Sequence, residues 1–558
     1  MQTGDFCHKL RLELTPFIQP LPIMPDADDV VMVDHLPGMP HSAVGRPHQR
    51  FNEFYPEKLY EMHAREFMHR FHPDLAPSKI WGYGLGPDID GNTFSPGPLF
   101  KQRYGEPIVT RIYNDLPAAG ATDGFGIPEV ITHLHNAHTA SESDGFPGDF
   151  YPVGEYHDHH YTNILAGGDP DEALNTLWYH DHRADFTAQN TYKGLVGQWW
   201  LYDEYDSGDE LDPNPKALHL PSGEYDVPMV FADKTFDATP DHQLYMDIFN
   251  VDGFLGEQLT VNGAVQPYFE IATRKYRFRL LNVGPSRFYK FALSHEIEPG
   301  RCDDAERTRR DHNHIGEYKK DKKGCFSGNI VVVANDGNLL PEPVSLKSVR
   351  VTPAERIDVV IDFSEAEIGD VIYLVNTMDQ FVGGGPTQVE IPIDEAPRVV
   401  KFIVTEHAVD HSRIAKKLRK RPTIKESEIV RTRVFEFDRE SDGWTINGKR
   451  FDFTRIDETV VRGTAERWIL KNSGEDWAHP VHIHLEEHQI VSRGGVATLD
   501  EERLLIETSR KDVSVIDPGE ELEIFLRFRD WTGRYPIHCH NTVHEDHAMM
   551  LRWEVVDP

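Results

Sequence analysis

The sequence predicts an all-β chain of three consecutive sandwich domains, and three observations carry that prediction. At 558 residues the chain is too long for one ordinary hydrophobic core and suits three domains. Its 42 glycines and 38 prolines fit a protein rich in strands and turns rather than a helical one. Short runs at 107–116 (PIVTRIYNDL), 227–236 (VPMVFADKTF), 356–363 (RIDVVIDF) and 521–530 (ELEIFLRFRD) mix β-branched, aromatic and alternating polar residues, as sandwich strands do. No long amphipathic helical period is present, and the region from Glu57 to Phe71 reads at most as a short helix or covering loop.

Aspartate plus glutamate exceeds lysine plus arginine by 92 − 58 = 34, which argues against nucleic acid and anionic membranes as partners. The surplus suits cationic substrates, solubility or a salt-adapted source equally. The basic run Lys416-Lys417-Leu418-Arg419-Lys420-Arg421 reads as a solvated connector. No apolar stretch approaches the roughly 20 residues that cross a bilayer, and Met1 to Asp26 carries charges and prolines without a signal-peptide core. The compartment is left open, an extracytoplasmic, spore or cell-surface site being compatible; a monomer is expected.

Four segments carry the chemistry. The first is His133-Leu-His135, the second His180-Asp-His182, and the third His479-Pro-Val-His482-Ile-His484. In an extended segment both imidazoles of an HxH pair project from one face, so one strand reaches two adjacent metal ions. The fourth segment is His538-Cys539-His540, followed by His544 and Met549. A thiolate, two histidines and a weak axial thioether are the ligand set of blue copper. If Tyr535 to Cys539 is extended, Cys539 points to one face and His538 and His540 to the other. A metal on the cysteine face is then wired through one residue to metal on the opposite face. Setting aside His479 and His544 leaves eight imidazoles: His133, His135, His180, His182, His482, His484, His538 and His540. Eight is what a three-copper cluster with two, three and three nitrogen ligands requires. A lone HxH among 30 histidines is more often surface or core than ligand, but four segments in order with Cys and Met in register leave coincidence a poor explanation.

These motifs resemble those of the multicopper oxidases. WYHDH (178–182) and HCHNTVHEDHAMM (538–550) are similar to the branch containing bilirubin oxidases, spore-coat laccases and phenoxazinone synthases. KIWGY (79–83), SPGPLF (95–100), SDGFPG (143–148), KYRFRLLNVGPSRFYKFALS (275–294) and DGNLLPEPV (336–344) extend the likeness over most of the chain. The resemblance implies three cupredoxin-like Greek-key β-sandwiches. They are cut here at 1–205, 206–398 and 399–558, with a linker near Gly383-Gly384-Gly385-Pro386 marking the second boundary. The middle domain holds no ligand and is expected to act as spacer and wall.

Carried over residue by residue, the resemblance implies four copper ions per chain. The type 1 ion takes His479, Cys539, His544 and Met549; the type 2 ion takes His133 and His482. One type 3 ion takes His135, His180 and His538, and the other His182, His484 and His540. Asp144 and Glu545 match the family's acidic positions and are expected to deliver protons for O2 reduction. Met549 rather than Met550 has the cysteine-plus-ten register. Trp477 stands two residues before His479, as in bilirubin oxidases, where an indole at this place borders the blue copper; here it either offers an aromatic face to planar donors or packs the copper loop, and His479 is the favoured donor-side ligand. The implied activity is oxidation of phenols, aminophenols or tetrapyrroles coupled to reduction of O2 to water.

Several residues point elsewhere or nowhere. Glu486 and Glu487 keep a metal-ion donor, Fe(II) or Mn(II), in view, with alternation sending one of them inward. Only 11 methionines and no Met-rich insert argue against Cu(I). Arg183 and Asp185 depart from the smaller residues usual after the HDH motif. His138, His157, His159 and His160 read as surface or loop residues, and His547 as second-shell or exposed. Cys302 and Cys325 flank a charged insert and form either a disulfide or two free thiols; Cys7 has no evident role. A copper nitrite reductase would lack the paired type 3 ions, and a copper carrier or coat protein needs no coupled cluster.

Overall fold

The computed structural model describes residues 12–27, 31–32, 45, 47–86, 91–118, 124–295, 319–320, 326–327, 329–387, 389–440, 443–494 and 501–558. Cys7, Cys302 and Cys325 lie outside the described residues, and so does their pairing. Strands dominate, and the helices among the described residues are single turns or little more, such as Thr187–Lys193, Glu501–Ile506 and Thr542–Asp546. No helix among the described residues is long and apolar enough to cross a membrane.

Three units follow one another, each of two facing sheets. In the first, a sheet built on Lys58–His69 faces a four-stranded sheet containing Thr132–His135 and Thr176–Asp181. In the second, a large sheet around Lys275–Asn282 and Arg356–Asp362 faces one around Tyr289–His295 and Val371–Asn376. In the third, a sheet around Ala465–Asn472 and Glu521–Arg527 faces one containing His479–Ile483 and Gly533–Cys539. Each unit has its own apolar core. A further cluster of Trp178, Val196, Trp200, Val230, Leu281, Ala354 and Val513 joins all three.

Three expectations are corrected. The stretch from Glu57 to Phe71 is neither helix nor loop: Lys58–His69 is a central strand, parallel to Ile108–Asn114 on one side and antiparallel to Ser78–Leu85 on the other. Its charges obscured the pattern, because Arg65 is buried and donates to the Gly86 carbonyl. A strand paired on both edges and covered on both faces loses the simple alternation. The second boundary also moves. Strand Arg398–Glu406 pairs with Val371–Asn376 and Tyr268–Ala272, so the middle unit extends past 398. The Gly383–Pro386 loop is not a boundary linker; it packs on the third unit, where the Gly384 carbonyl accepts the Ala478 N–H at 2.8 Å. The basic connector is only partly solvated: Leu418 and Arg419 are buried, and Arg419 reaches Asp203 at 2.6 Å.

Candidate metal centre

Strand registers assemble the site. Thr132–His135 pairs with Thr176–Asp181 so that His133 lies opposite His180 and His135 opposite Trp178. His479–Ile483 pairs with Gly533–Cys539 so that Val481 lies opposite Cys539 and His482 opposite His538. Alternation therefore sends Cys539 into the third unit's apolar core, with Val481 and Met549, while His482 and His538 face the first unit. The eight histidines outside the cysteine site meet in the seam between the first and third units, all buried.

At the cysteine site, Cys539 Sγ lies 3.5 Å from His479 Nδ1 and 3.7 Å from His544 Nδ1. Ala548, at φ +80°, turns the chain so that Met549 enters the same core, and the Met549 carbonyl accepts the Cys539 N–H at 3.1 Å. The Asn541 N–H points at Sγ from 3.4 Å. Burial holds the His479 imidazole down to about 3, which keeps it neutral and able to ligate, and pushes the Cys539 thiol up, so the thiol must give up its proton when a metal binds. Sequence reasoning missed Trp444, whose indole stacks on His544 with centroids 3.8 Å apart and whose N–H bonds the Val251 carbonyl. Only its contact across the strand Gly443–Ile446 reveals it.

Two loops of the middle unit roof this site. His544 Nε2 lies 3.2 Å from the Asp252 carbonyl, and Asn541 donates to the Gly383 carbonyl at 3.2 Å. The loops meet at Gly253 and Gly383, where a Cβ on Gly383 would come within 2.3 Å of the Gly253 Cα. Trp477 is half-buried, edge-on to Trp444 and under the Arg439 guanidinium at 4.8 Å. A groove of about 940 Å3 runs past Glu475, Asp476 and Ala478, directly before His479, and past Gly384, Gly385 and Pro386.

In the histidine seam the ring nitrogens divide into two sets. Nδ1 atoms face acceptors: His133 the Asp144 carbonyl at 2.5 Å, His180 the Asp181 carbonyl at 2.7 Å, His482 the Asp512 carbonyl at 2.9 Å and His484 the Asp144 carboxylate at 2.7 Å. His135 Nδ1 is 2.7 Å from the Asp512 carboxylate, and His538 Nδ1 is 3.1 Å from Glu545. Nε2 atoms converge: those of His133 and His482 are 3.3 Å apart, as are those of His182 and His538, and of His484 and His538. Nε2 of His135, His180 and His540 is buried without any hydrogen-bond partner. A proton on each anchored Nδ1 leaves a lone pair on Nε2, so these orphaned atoms are aimed as metal ligands and the donor set fits copper. Burial keeps His180 neutral, at about 3, and His182, at about 4.

The groups that form differ from the expected partition in one exchange. His135, His180 and His540 cluster, and so do His182, His484 and His538, so His538 and His540 trade places. The cause is register. With His538 opposite His482, His540 lies toward Pro480, whose carbonyl takes its N–H at 2.5 Å, and away from His484. His133 and His482 remain together as expected.

Other expectations change with burial. Asp144 is fully buried, and burial raises its carboxyl well above the ordinary range. Glu545 lies between His538 and His182, 3.1 and 3.5 Å from their Nδ1 atoms. His157, His159 and His160 are not surface residues: they sit buried on Tyr156–Tyr161, and His157 and His159 bond the carbonyls of Glu142 and Ser143, the loop leading to Asp144. His138 pairs with Asp530 at 2.9 Å. His547 is half-buried and bonds the Val543 carbonyl. Glu486 and Glu487 both turn inward, to Arg529 at 2.9 Å and Arg510 at 2.8 Å, because the chain leaves the strand at Ile483 and alternation ends there. Arg183 pairs with Glu129 at 2.6 Å over the Phe150 ring, and Asp185 is exposed at φ +66°.

Comparison with known proteins agrees with this geometry. A family model described as multicopper oxidase matches residues 424–558. The chain is 30% identical to a laccase of Bacillus subtilis over 549 residues, covering 89% of this chain and 94% of the relative. It is 32% identical to a bilirubin oxidase of Albifimbria verrucaria, covering 88% of this chain and 75% of the relative. The fold superposes on a McoA multicopper oxidase variant from Aquifex aeolicus with a TM-score of 0.72 at 22% identity, covering 96% and 99% of the two chains. The chain belongs to the multicopper oxidase family and is a copper-dependent oxidoreductase that uses O2 as acceptor.

Proposed function

We propose that this protein oxidises phenolic, aminophenolic or tetrapyrrole donors one electron at a time and reduces O2 to two waters, in the manner of a laccase or bilirubin oxidase. Four coppers are assigned: type 1 to His479, Cys539, His544 and Met549, type 2 to His133 and His482, and the type 3 pair to His135, His180, His540 and to His182, His484, His538. When bound, copper would supply one one-electron centre at the cysteine site and three at the histidine seam, four in all for the reduction of O2. The observation that carries the reading is the convergence of imidazole Nε2 atoms on one buried seam, one residue away from Cys539 in the same strand end.

The chain's own residues divide the remaining work. Cys539 lies between His538 and His540, so a covalent path of a few bonds joins the two sites without any gap. The seam is walled from solvent by full burial of its histidines. Asp144, whose carboxyl burial raises and which touches His484 Nδ1, and Glu545, beside His538 and His182, are placed to move protons to the seam.

The donor is assigned to the groove beside Glu475–Ala478. Its volume, about 940 Å3, suits an organic molecule. Trp477 lies beside Gly384, one of the groove's lining residues, and Phe381 and Val382 stand on the same loop with 79% and 67% of their surface exposed. These exposed apolar side chains and the indole favour planar aromatic donors. The case for a metal-ion donor weakens because Glu486 and Glu487 are both occupied by arginines.

The test is O2 uptake by copper-loaded protein with 2,6-dimethoxyphenol, bilirubin, Fe(II), Mn(II) and Cu(I), together with copper stoichiometry. Rapid uptake with the organic donors at about four coppers per chain is expected. Uptake confined to a metal ion would make it a metallo-oxidase, and none at full loading would leave a copper-binding protein.

A further inference from the structure

The middle unit contributes no histidine to either site, yet one of its side chains reaches the histidine seam. Arg356 opens strand Arg356–Asp362 and has no exposed surface. Its Nη1 donates to Asp512 Oδ1 at 2.8 Å and to the Ala354 carbonyl at 3.1 Å; Nη2 donates to the Asp336 carbonyl at 3.1 Å and Nε to the Thr176 carbonyl at 3.2 Å. Thr176 begins the first-unit strand that carries His180, and Asp512 precedes the third-unit strand Val513–Ile516 that pairs with His479–Ile483. One guanidinium thus ties all three units together at the edge of the seam.

Asp512 faces two ligands. Its carbonyl accepts from His482 Nδ1 at 2.9 Å, and its Oδ2 lies 2.7 Å from His135 Nδ1 and 3.6 Å from His482 Nδ1. That Oδ2 is buried and makes no hydrogen bond of its own, so the close approach to His135 Nδ1 is its nearest polar contact. A guanidinium only donates, so Oδ1 must accept from it, which turns Oδ2 toward His135. His135 Nδ1 thus has two neighbours, Oδ2 at 2.7 Å and the Arg356 Nη1 at 3.4 Å; the closer one is an acceptor and favours the proton on Nδ1 and the lone pair on Nε2, the atom left orphaned in the seam. The two rings it anchors stack with centroids 3.6 Å apart. Displacing one would displace the other.

We propose that Asp512, clamped by Arg356, is a positioning residue that fixes the tautomer and orientation of His135 and His482, so that the middle unit helps set the geometry of the copper cluster. The proposal rests on the assignment of copper to the seam. It assigns Asp512 no contact with substrate or O2; it acts through the two imidazoles.

The experiment compares copper-loaded wild type with Asp512→Asn, Arg356→Met and Arg356→Lys. The readouts are cluster copper affinity by chelator competition, the electron paramagnetic resonance spectrum of the type 2 copper, and the blue absorption of the Cys539 site as an internal check on folding. Asp512→Asn and Arg356→Met are expected to lower cluster copper affinity about 10- to 100-fold and to alter the type 2 spectrum while the blue band persists. Arg356→Lys, which keeps the charge but not the fork, is expected to fall between wild type and Arg356→Met. Should Arg356→Met fail to fold, the near-isosteric Asp512→Asn carries the test. Wild-type affinity and an unchanged type 2 spectrum in Asp512→Asn would overturn the proposal alone. Wild-type protein that binds copper only at the blue site would overturn both the proposal and the functional reading beneath it.

Discussion

Asp144 and Asp512 occupy matching places on opposite sides of the histidine seam. The carbonyl of each anchors one histidine of the His133–His482 pair, at 2.5 and 2.9 Å, and the carboxylate of each faces a histidine of the flanking groups, His484 and His135, at 2.7 Å in both cases. They differ in one partner. Asp512 carries Arg356 on its other oxygen, whereas the ion pairs of Asp144 among the described residues are with histidines only. Burial raises both carboxyls well above the ordinary range, but the same scaffold position is clamped to the middle unit in the third unit and left to its histidines in the first.

That difference makes Asp144 the sharper target for proton delivery. Asp144→Asn preserves an acceptor for His484 Nδ1 but removes the exchangeable proton. O2 consumption is expected to fall about 10²- to 10⁴-fold with copper content unchanged. Steady-state oxygen uptake and copper analysis on the same sample check it, and near-wild-type turnover would remove Asp144 from the proton path.

Cys539→Ser is expected to abolish the blue absorption and phenol oxidation together, leaving the cluster histidines able to take copper. Cys539 is the link between the two sites, and serine supplies no soft ligand. Retained phenol oxidation without the blue band would show that electrons enter elsewhere.

Donor docking is tested on the exposed rim. Phe381→Ser removes an aromatic side chain that is 79% exposed, so its effect on stability should stay within about 0.5 kcal/mol. KM for bulky phenols is expected to rise several-fold while kcat at saturation holds. Trp477→Ala separates the two roles of that indole: a docking role raises KM with the blue spectrum intact, whereas a packing role shifts the blue band.

The buried histidines away from the copper ligands predict an acid limit on stability. Burial lowers His159 from 6.5 to about 4. Between those values the unfolded chain binds a proton that the folded chain refuses, so stability present above pH 6.5 is lost as pH falls toward 4. At pH 5 the loss from His159 alone is about 2 kcal/mol. Urea unfolding at pH 7 and pH 5 checks it: His159→Gln should lose less stability than wild type over that interval, and an equal loss would show that His159 is not responsible.

Legibility in the sequence followed the range of the interaction. The HxH pairs, Cys539 with its neighbours, and Met549 could be read because strand alternation and covalent spacing act within a dozen residues. The strand at Lys58–His69 could not, since its charges are neutralised by partners remote in sequence, and neither could the burial of His157, His159 and His160 or the inward turn of both Glu486 and Glu487. Trp444 and Asp512 carry no local signal at all: an indole in a short strand and an acid between a lysine and a valine look ordinary until the strands pair.

By itself the sequence determined the fold class and the face that Cys539 and its flanking histidines take, because those follow from residue chemistry and a two-residue period. Only the tertiary structure decided which histidines cluster, exchanging His538 and His540 between the groups, and only it brought Arg356 of the middle unit onto Asp512. Those outcomes depend on the register between strands hundreds of residues apart and on the packing of three units around one seam, where a shift of a single residue would turn every ligand away.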